Sequence, residues 1–324
     1  MSVRLGSTQI ESNDPNGLLW ERIQMTKSPA WDDPILLPKS EGKWIKQYRL
    51  LQSWYRETVI GAPPGKYGNY FQKSWLEDHP DANYLTPEVV EYVKQRVPEV
   101  KAEGGALEPN RLKSNLLSSM PLCFNLFGHL NAHRVVAAKV MSLAFGLDIA
   151  TVENIRVEWS PNRAEHLDDR TAFDAYVEYR TRDGKRGFVG VETKYTETFS
   201  PKVYDQDSYR RVTNSLGSGF RPGAADALKA KPTNQLWRNA LLVVSLRQVE
   251  QFDYGHVAVV TCENDPVLPK AVLRFEEQLT DPPSLLRKVS YEKIIDAAGQ
   301  HPEISDWAAR FRKRYLDLSP VQKV

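Results

Sequence analysis

Residues 171–195 read TAFDAYVEYRTRDGKRGFVGVETKY, and this stretch decides the fold. Two apolar-rich runs, about 172–180 and 187–195, flank Asp183-Gly184, a dipeptide that favours a tight two-residue hairpin turn. Residues two apart on a strand share a face, so Glu192 and Lys194 project together from the end of the second run. Closing the hairpin at Asp183-Gly184 pairs the strands and brings Asp174 beside Glu192.

Two carboxylates and an ammonium on one sheet face are what a metal-dependent phosphodiesterase needs. The carboxylates are hard oxygen ligands for Mg²⁺. The ion and the lysine then stabilise charge developing on a phosphate and activate a water. The bland alternative is a cross-strand charge pair on the solvent face of a hairpin, which is common and contributes little. The run Phe188-Val189-Gly190-Val191 speaks against it. That strand is nearly continuously apolar, and a strand buried on both faces does not end in a charged pair without a reason.

Composition narrows the class. The 324 residues leave room for one large domain or two ordinary ones. With 41% hydrophobic and 26% charged residues, the chain has a globular rather than a disordered composition. Its net charge of +2 is small, so any nucleic-acid contact would come from a local patch. Cys123 and Cys262 lack CxxC or Cys/His ligand spacing, which excludes a zinc ribbon and argues against a disulfide framework. The start, MSVRLGSTQIESNDPNG, is polar and lacks the apolar core of a signal peptide. The longest apolar run, Ala240–Val244, is far too short to span a membrane. The expectation is a cytoplasmic protein with no membrane partner.

Outward from the hairpin, the elements fall into an order. Upstream, Phe124–Phe145 reads as one long helix closed by Gly146, and Ile155–Ser160 as a short strand. Downstream, a long polar stretch, Thr196–Pro232, leads to a helix over 234–246 and a buried strand at Gly255–Thr261. Helical segments at 268–277, 291–298 and 304–316 finish the chain. The core order is α-β-β-β-α-β. Residues 1–106 form an N-terminal extension. Its first forty residues are irregular, broken by Pro15, Pro29, Pro34 and Pro38. It then becomes helical and rich in Trp and Tyr, with helices over 43–58 and from Thr86-Pro87 to a stop before Pro98. Lys101–Asn110 is the boundary, and 107–324 is the main domain.

This order, with Asp174 on the second core strand and Glu192-Thr193-Lys194 on the third, resembles the PD-(D/E)XK nuclease superfamily and its restriction-endonuclease-like α/β fold, over about residues 111–265. The resemblance implies metal-dependent hydrolysis of phosphodiester bonds in DNA, with RNA as the other nucleic-acid partner. Asp174 and Glu192 would bind Mg²⁺ or Mn²⁺ with the Thr193 backbone carbonyl, and Lys194 would assist the attacking water. The second core helix begins Asn234-Gln235-Leu236-Trp237-Arg238; Gln235 and Arg238 share a face, Gln235 to position a water or phosphate oxygen and Arg238 to clamp a phosphate. Many members carry a glutamate on the first core helix. Here no acidic residue lies between Glu108 and Asp148, so Glu158, or Glu165, Asp168 or Asp169, would have to substitute. That gap favours the alternative of a catalytically inactive nuclease-fold module that binds DNA or protein. A third class is an interaction protein acting through its aromatic N-terminal part. A homodimer would suit double-strand cleavage.

Nucleic-acid contact is expected in Thr196–Pro232 and the helix that follows. Lys202, Arg210, Arg211, Arg221, Lys229, Lys231 and Arg238 supply cations for phosphates, while Phe199, Tyr204, Tyr209 and Phe220 could stack on unpaired bases. Two other signals carry less. His129 and His133 stand four apart, but no HExxH motif and no third ligand accompany them, so they read as core histidines. Gly61–Tyr67 is one residue short of a phosphate loop and lacks its Ser/Thr, and reads as a Pro-Gly turn.

Overall fold

The hairpin forms. In the computed structural model, which describes residues 30–105 and 107–322, β2 (Phe173–Arg180) and β3 (Arg186–Thr193) pair antiparallel from Arg180↔Arg186 to Ala175↔Val191. The turn is longer than the expected two residues. It spans Thr181–Lys185, closed by Gly184 N–H donating to the Thr181 carbonyl at 3.0 Å, with Gly184 left-handed at φ +80°. Asp183 accepts from the Thr181 hydroxyl, so the Asp-Gly pair organises a larger loop rather than forming the turn alone.

Around the hairpin stands a five-stranded sheet in chain order. β1 (Thr151–Trp159) adds antiparallel to β2, and β4 (Tyr254–Thr261) adds parallel to β3. β5 (Leu286–Ser290), which the sequence did not reveal, adds parallel to β4. Among the helices are α1 (Lys43–Trp54), α2 (Pro87–Ala102), α3 (Arg134–Phe145), α4 (Asp207–Thr213), α5 (Ala224–Leu228), α6 (Asn234–Val249), α7 (Leu268–Glu276), α8 (Tyr291–Gly299) and α9 (Ser305–Tyr315). The core is therefore α3-β1-β2-β3-α6-β4, the expected order. Parallel strands need a crossover, and α6 supplies it between β3 and β4.

Each sheet face has its own core. Val157, Val177, Val189, Val191 and Val260 join one buried cluster with α3, α8, α9 and residues of α1 and α2. Phe173, Tyr176, Phe188 and Val259 join a second with Leu236, Trp237, Ala240 and Leu241 of α6. Gly190 is one close approach: a Cβ there would run into the Phe173 ring. The edge of β1 is closed by α2. Tyr92 Oη bridges the Ile155 carbonyl (3.1 Å) and the Val157 N–H (2.9 Å), covering polar groups that an edge strand leaves open.

Other expectations are corrected. Phe124–Phe145 is not one helix: a turn at Ser119–Cys123 continues into a π-helical turn, Phe124–Gly128, and His133 breaks the path at φ −123°, ψ 47° before α3. α2 does not stop before Pro98 but runs through it to Ala102. Pro98 and Lys94, whose carbonyl loses its donor, both lie on the exposed side, where water substitutes. Thr196–Pro232 is not an open loop; α4 and α5 form within it and bury Tyr209, Val212, Ala224 and Leu228 in the second cluster. Residues 1–29, expected to be irregular, lie outside the described residues.

Candidate active site

Below Ala175↔Val191 the hairpin parts. The next donor on β3, the Thr193 N–H, is taken not by the β2 backbone but by the Asp174 carboxylate, at 2.7 Å to Oδ2. The Thr193 hydroxyl donates to the same oxygen at 2.8 Å. The Cys123 thiol donates to the Asp174 carbonyl at 3.2 Å. Asp174 is thus fixed where the strands separate.

Glu192 is buried and held by three donors. Lys194 Nζ reaches Oε1 at 2.5 Å, as the shared strand face requires. Gln235 Nε2 donates to Oε1 at 2.6 Å and Asn239 Nδ2 to Oε2 at 2.6 Å. Gln235 in turn accepts the Ser200 N–H at 2.6 Å. Gln235 and Asn239 are four apart on α6 and so share the face over the sheet. Sequence reasoning paired Gln235 with Arg238 instead and missed Asn239; the i, i+4 spacing from Gln235 was the signal.

Glu158 comes from the opposite strand by an unusual backbone. It has φ +53°, a left-handed conformation that costs a residue bearing a Cβ. Val157 pairs with Ala175 and Trp159 with Phe173, so Glu158 stands across from Asp174. Val157 and Trp159 enter opposite cores although they are two residues apart, and the strand changes face at Glu158. Arg96 of α2 spans the kink: Nε donates to the Val157 carbonyl at 2.8 Å and Nη2 to the Glu158 carbonyl at 3.1 Å.

The three carboxylates feel one another. Burial, and after it the Glu192 charge, pushes the Asp174 carboxyl up to about 7. Burial and then Asp174 push Glu158 up to about 8. Burial disfavours the charged Lys194, but Glu192 and Asp174 outweigh it and hold the ammonium above its ordinary value. Among the described residues, no three His, Cys, Asp or Glu side chains stand close enough to enclose an ion.

A family model described as the PD-(D/E)XK nuclease superfamily matches residues 39–317. The chain belongs to that superfamily. No curated protein and no solved structure matches it. Membership in the PD-(D/E)XK superfamily agrees with the mixed sheet flanked by helices, points to a nuclease-type function, and implies nucleic acid as the class of substrate; such nucleases usually use divalent metals. The match begins well before the expected start at 111 and includes α1 and α2. Among the described residues no helix is long and apolar enough to cross a membrane.

Within this PD-(D/E)XK fold most of the expected nucleic-acid residues are engaged by other protein groups. Arg238 turns to Asp169, 3.3 Å from Oδ2, and to the Thr171 hydroxyl at 2.7 Å, with its guanidinium over the Tyr204 ring. Arg210 pairs with Asp205 (3.0 Å) and Asp226 (3.2 Å), and Lys229 with Asp226 (2.9 Å). Arg221 donates to the Leu279 carbonyl at 2.9 Å. Arg211 and Lys231 are exposed. Of the four aromatics, Phe199, Tyr209 and Phe220 are buried in the core, which removes them as stacking platforms, and Tyr204 stays exposed.

Proposed function

We propose that this chain is a nuclease that hydrolyses phosphodiester bonds in DNA with Mg²⁺ or Mn²⁺. The observation that carries the reading is the Lys194 ammonium on Glu192 at 2.5 Å, beside the point where the hairpin parts around Asp174. The donor set fits a hard divalent ion. Three carboxylates against one ammonium leave negative charge that a proton or a cation must relieve, and the raised Asp174 and Glu158 carboxyls express that need. Asp174 and Glu192 would hold the ion with the Thr193 backbone carbonyl; the three carboxylates do not enclose an ion as they stand, so Glu158 would have to move in or act through a water. Bound there, it supplies Lewis acidity and a more acidic water.

The chain's own residues do the rest. Lys194 orients the attacking water and neutralises charge developing on the phosphate. Gln235 and Asn239 keep Glu192 aimed, and the Thr193 N–H and hydroxyl keep Asp174 aimed. The second reading is a catalytically inactive module that binds nucleic acid or protein. It is favoured by one observation: both Glu192 oxygens already accept hydrogen bonds.

The test is cleavage of linear, circular and single-stranded DNA in Mg²⁺ or Mn²⁺ by wild type, Asp174→Ala and Lys194→Ala. Activity in wild type alone, with unchanged circular dichroism, supports the nuclease. Its absence in wild type on every substrate and metal favours the module.

A further inference from the structure

Two clefts adjoin at the segment between β1 and β2, one of about 570 Å³ and one of about 520 Å³. They share Arg163, Asp168, Arg170 and Ala172. The first reaches Glu158; the second reaches Gln235 and Asn239, the residues that hold Glu192. Together they make a trough that reaches Glu158 on one side and, on the other, the two amides that hold Glu192.

Of its cations, Arg163 and Arg170 were not singled out by the sequence, whereas Lys202 and Arg238 were. Arg163 and Arg170 line both clefts and Lys202 lines the second, and all three are exposed. Among the described residues, none of the three makes an ion pair, whereas Arg210, Lys229 and Arg238 are committed to Asp205, Asp226 and Asp169. Of the carboxylates lining the trough, Glu103 is taken by Arg96 and Asp169 by Arg238, which leaves exposed Asp168 and the site residue Glu158 facing the cations. An arginine fork is the side chain best shaped for a phosphate.

We infer that Arg163, Arg170 and Lys202 bind the phosphate backbone of the DNA substrate and lead it along the trough to the carboxylates. The inference rests on the nuclease reading above and adds the residues that receive the strand. It assigns binding to a different set of cations from Arg210, Arg221 and Lys229.

The experiment measures duplex DNA binding by full-length Asp174→Ala, which separates binding from cleavage, through fluorescence anisotropy over a salt series without divalent ions. Each phosphate contact contributes about 0.9 to the slope of log K against log salt. Adding Arg163→Gln, Arg170→Gln and Lys202→Gln should flatten that slope by about 2–3 and weaken binding at least tenfold. Adding Arg210→Gln, Arg221→Gln and Lys229→Gln should leave slope and affinity near those of the parent. An unchanged slope in the trough variant, or a loss confined to the second variant, overturns the inference while leaving the nuclease reading intact. A parent that binds no DNA at any salt overturns both. The replaced side chains of the trough are exposed, and matching thermal unfolding curves confirm that folding is unaffected.

Discussion

Arg96 holds Glu158 by its backbone. One guanidinium donates to the carbonyls of Val157 and Glu158, at 2.8 and 3.1 Å, across a residue with φ +53°. Arg96 is 2% exposed, and its partners Glu99 and Glu103 are far more open to solvent, so the ion pairs contribute little and the two carbonyls dominate. Arg96→Met should destabilise the chain by about 2–4 kcal/mol, the cost of leaving buried carbonyls without donors. Glu158→Gly should do the opposite, gaining about 1 kcal/mol by relieving the left-handed backbone while lowering activity. Urea unfolding of both variants, set beside their cleavage rates, checks the pair.

Asp174→Asn should make the ion-free protein more stable at pH 7.5, by about 1–2 kcal/mol. It removes one of three mutually repelling carboxylates but keeps an acceptor for the Thr193 donors. Mg²⁺ should raise the melting temperature of wild type and leave that of the variant nearly unmoved. Differential scanning fluorimetry with and without the ion reads both; equal shifts in the two proteins would remove Asp174 from the ion's ligands.

Asn239→Ala should cost about 1–3 kcal/mol by withdrawing a donor from a buried carboxylate. Asn239→Asp should cost more, because it sets a second charge against Glu192. Gln235→Ala should act like Asn239→Ala but also free the Ser200 N–H. If these residues only orient Glu192, steady-state kinetics should show kcat falling while KM for DNA is preserved.

Acid should unfold the protein partly through its histidines. Burial, and then His133, pushes His129 down to about 4, and burial with Arg287 pushes His256 down to about 3. A folded value below the unfolded one, about 6.5, means that the unfolded chain takes up a proton first. Stability from these groups is therefore whole above about pH 6.5 and is lost as pH falls toward 4 for His129 and 3 for His256, by at most about 1.4 kcal/mol per pH unit for each histidine. His129→Gln should flatten that decline in melting curves between pH 6.5 and 4.

A chain beginning at residue 107 should fail to reach a fixed fold. Tyr48, Leu51, Val89 and Val93 belong to the same buried cluster as Val157 and Val191. Gln52 donates to Tyr195 Oη at 2.9 Å and to the Arg314 carbonyl at 2.6 Å. Tyr92 and Arg96 close the β1 edge. Amide NMR dispersion of the truncated protein is the check, and a well-dispersed spectrum would make residues 107–324 a self-sufficient domain.

The hairpin was legible because period-two spacing and an almost unbroken apolar run are strong local signals, and they placed Glu192 with Lys194 correctly. The break at His133 was not, since Leu130–Val136 carry no Gly or Pro and the nearest glycine, Gly128, lies inside the helical path five residues upstream. β5 is five residues long and half-exposed, too short for alternation to speak. Thr196–Pro232 looked like a loop because its polar residues outnumber the few aromatics that bury it. Glu158 was one of four stand-ins for the missing helix carboxylate; its left-handed backbone depends on Arg96, 62 residues away, and no local pattern encodes that.

On the proposed reading, the crowding around Glu192 has a consequence in time. An ion that takes Oε1 must evict the Lys194 ammonium or the Gln235 amide. Were the ion to take the place of the ammonium rather than of the amide, its arrival would release the lysine, and the resting protein would keep that cation sheathed until then. Such an enzyme would start with a lag after metal is added, lengthening as the metal is made scarcer.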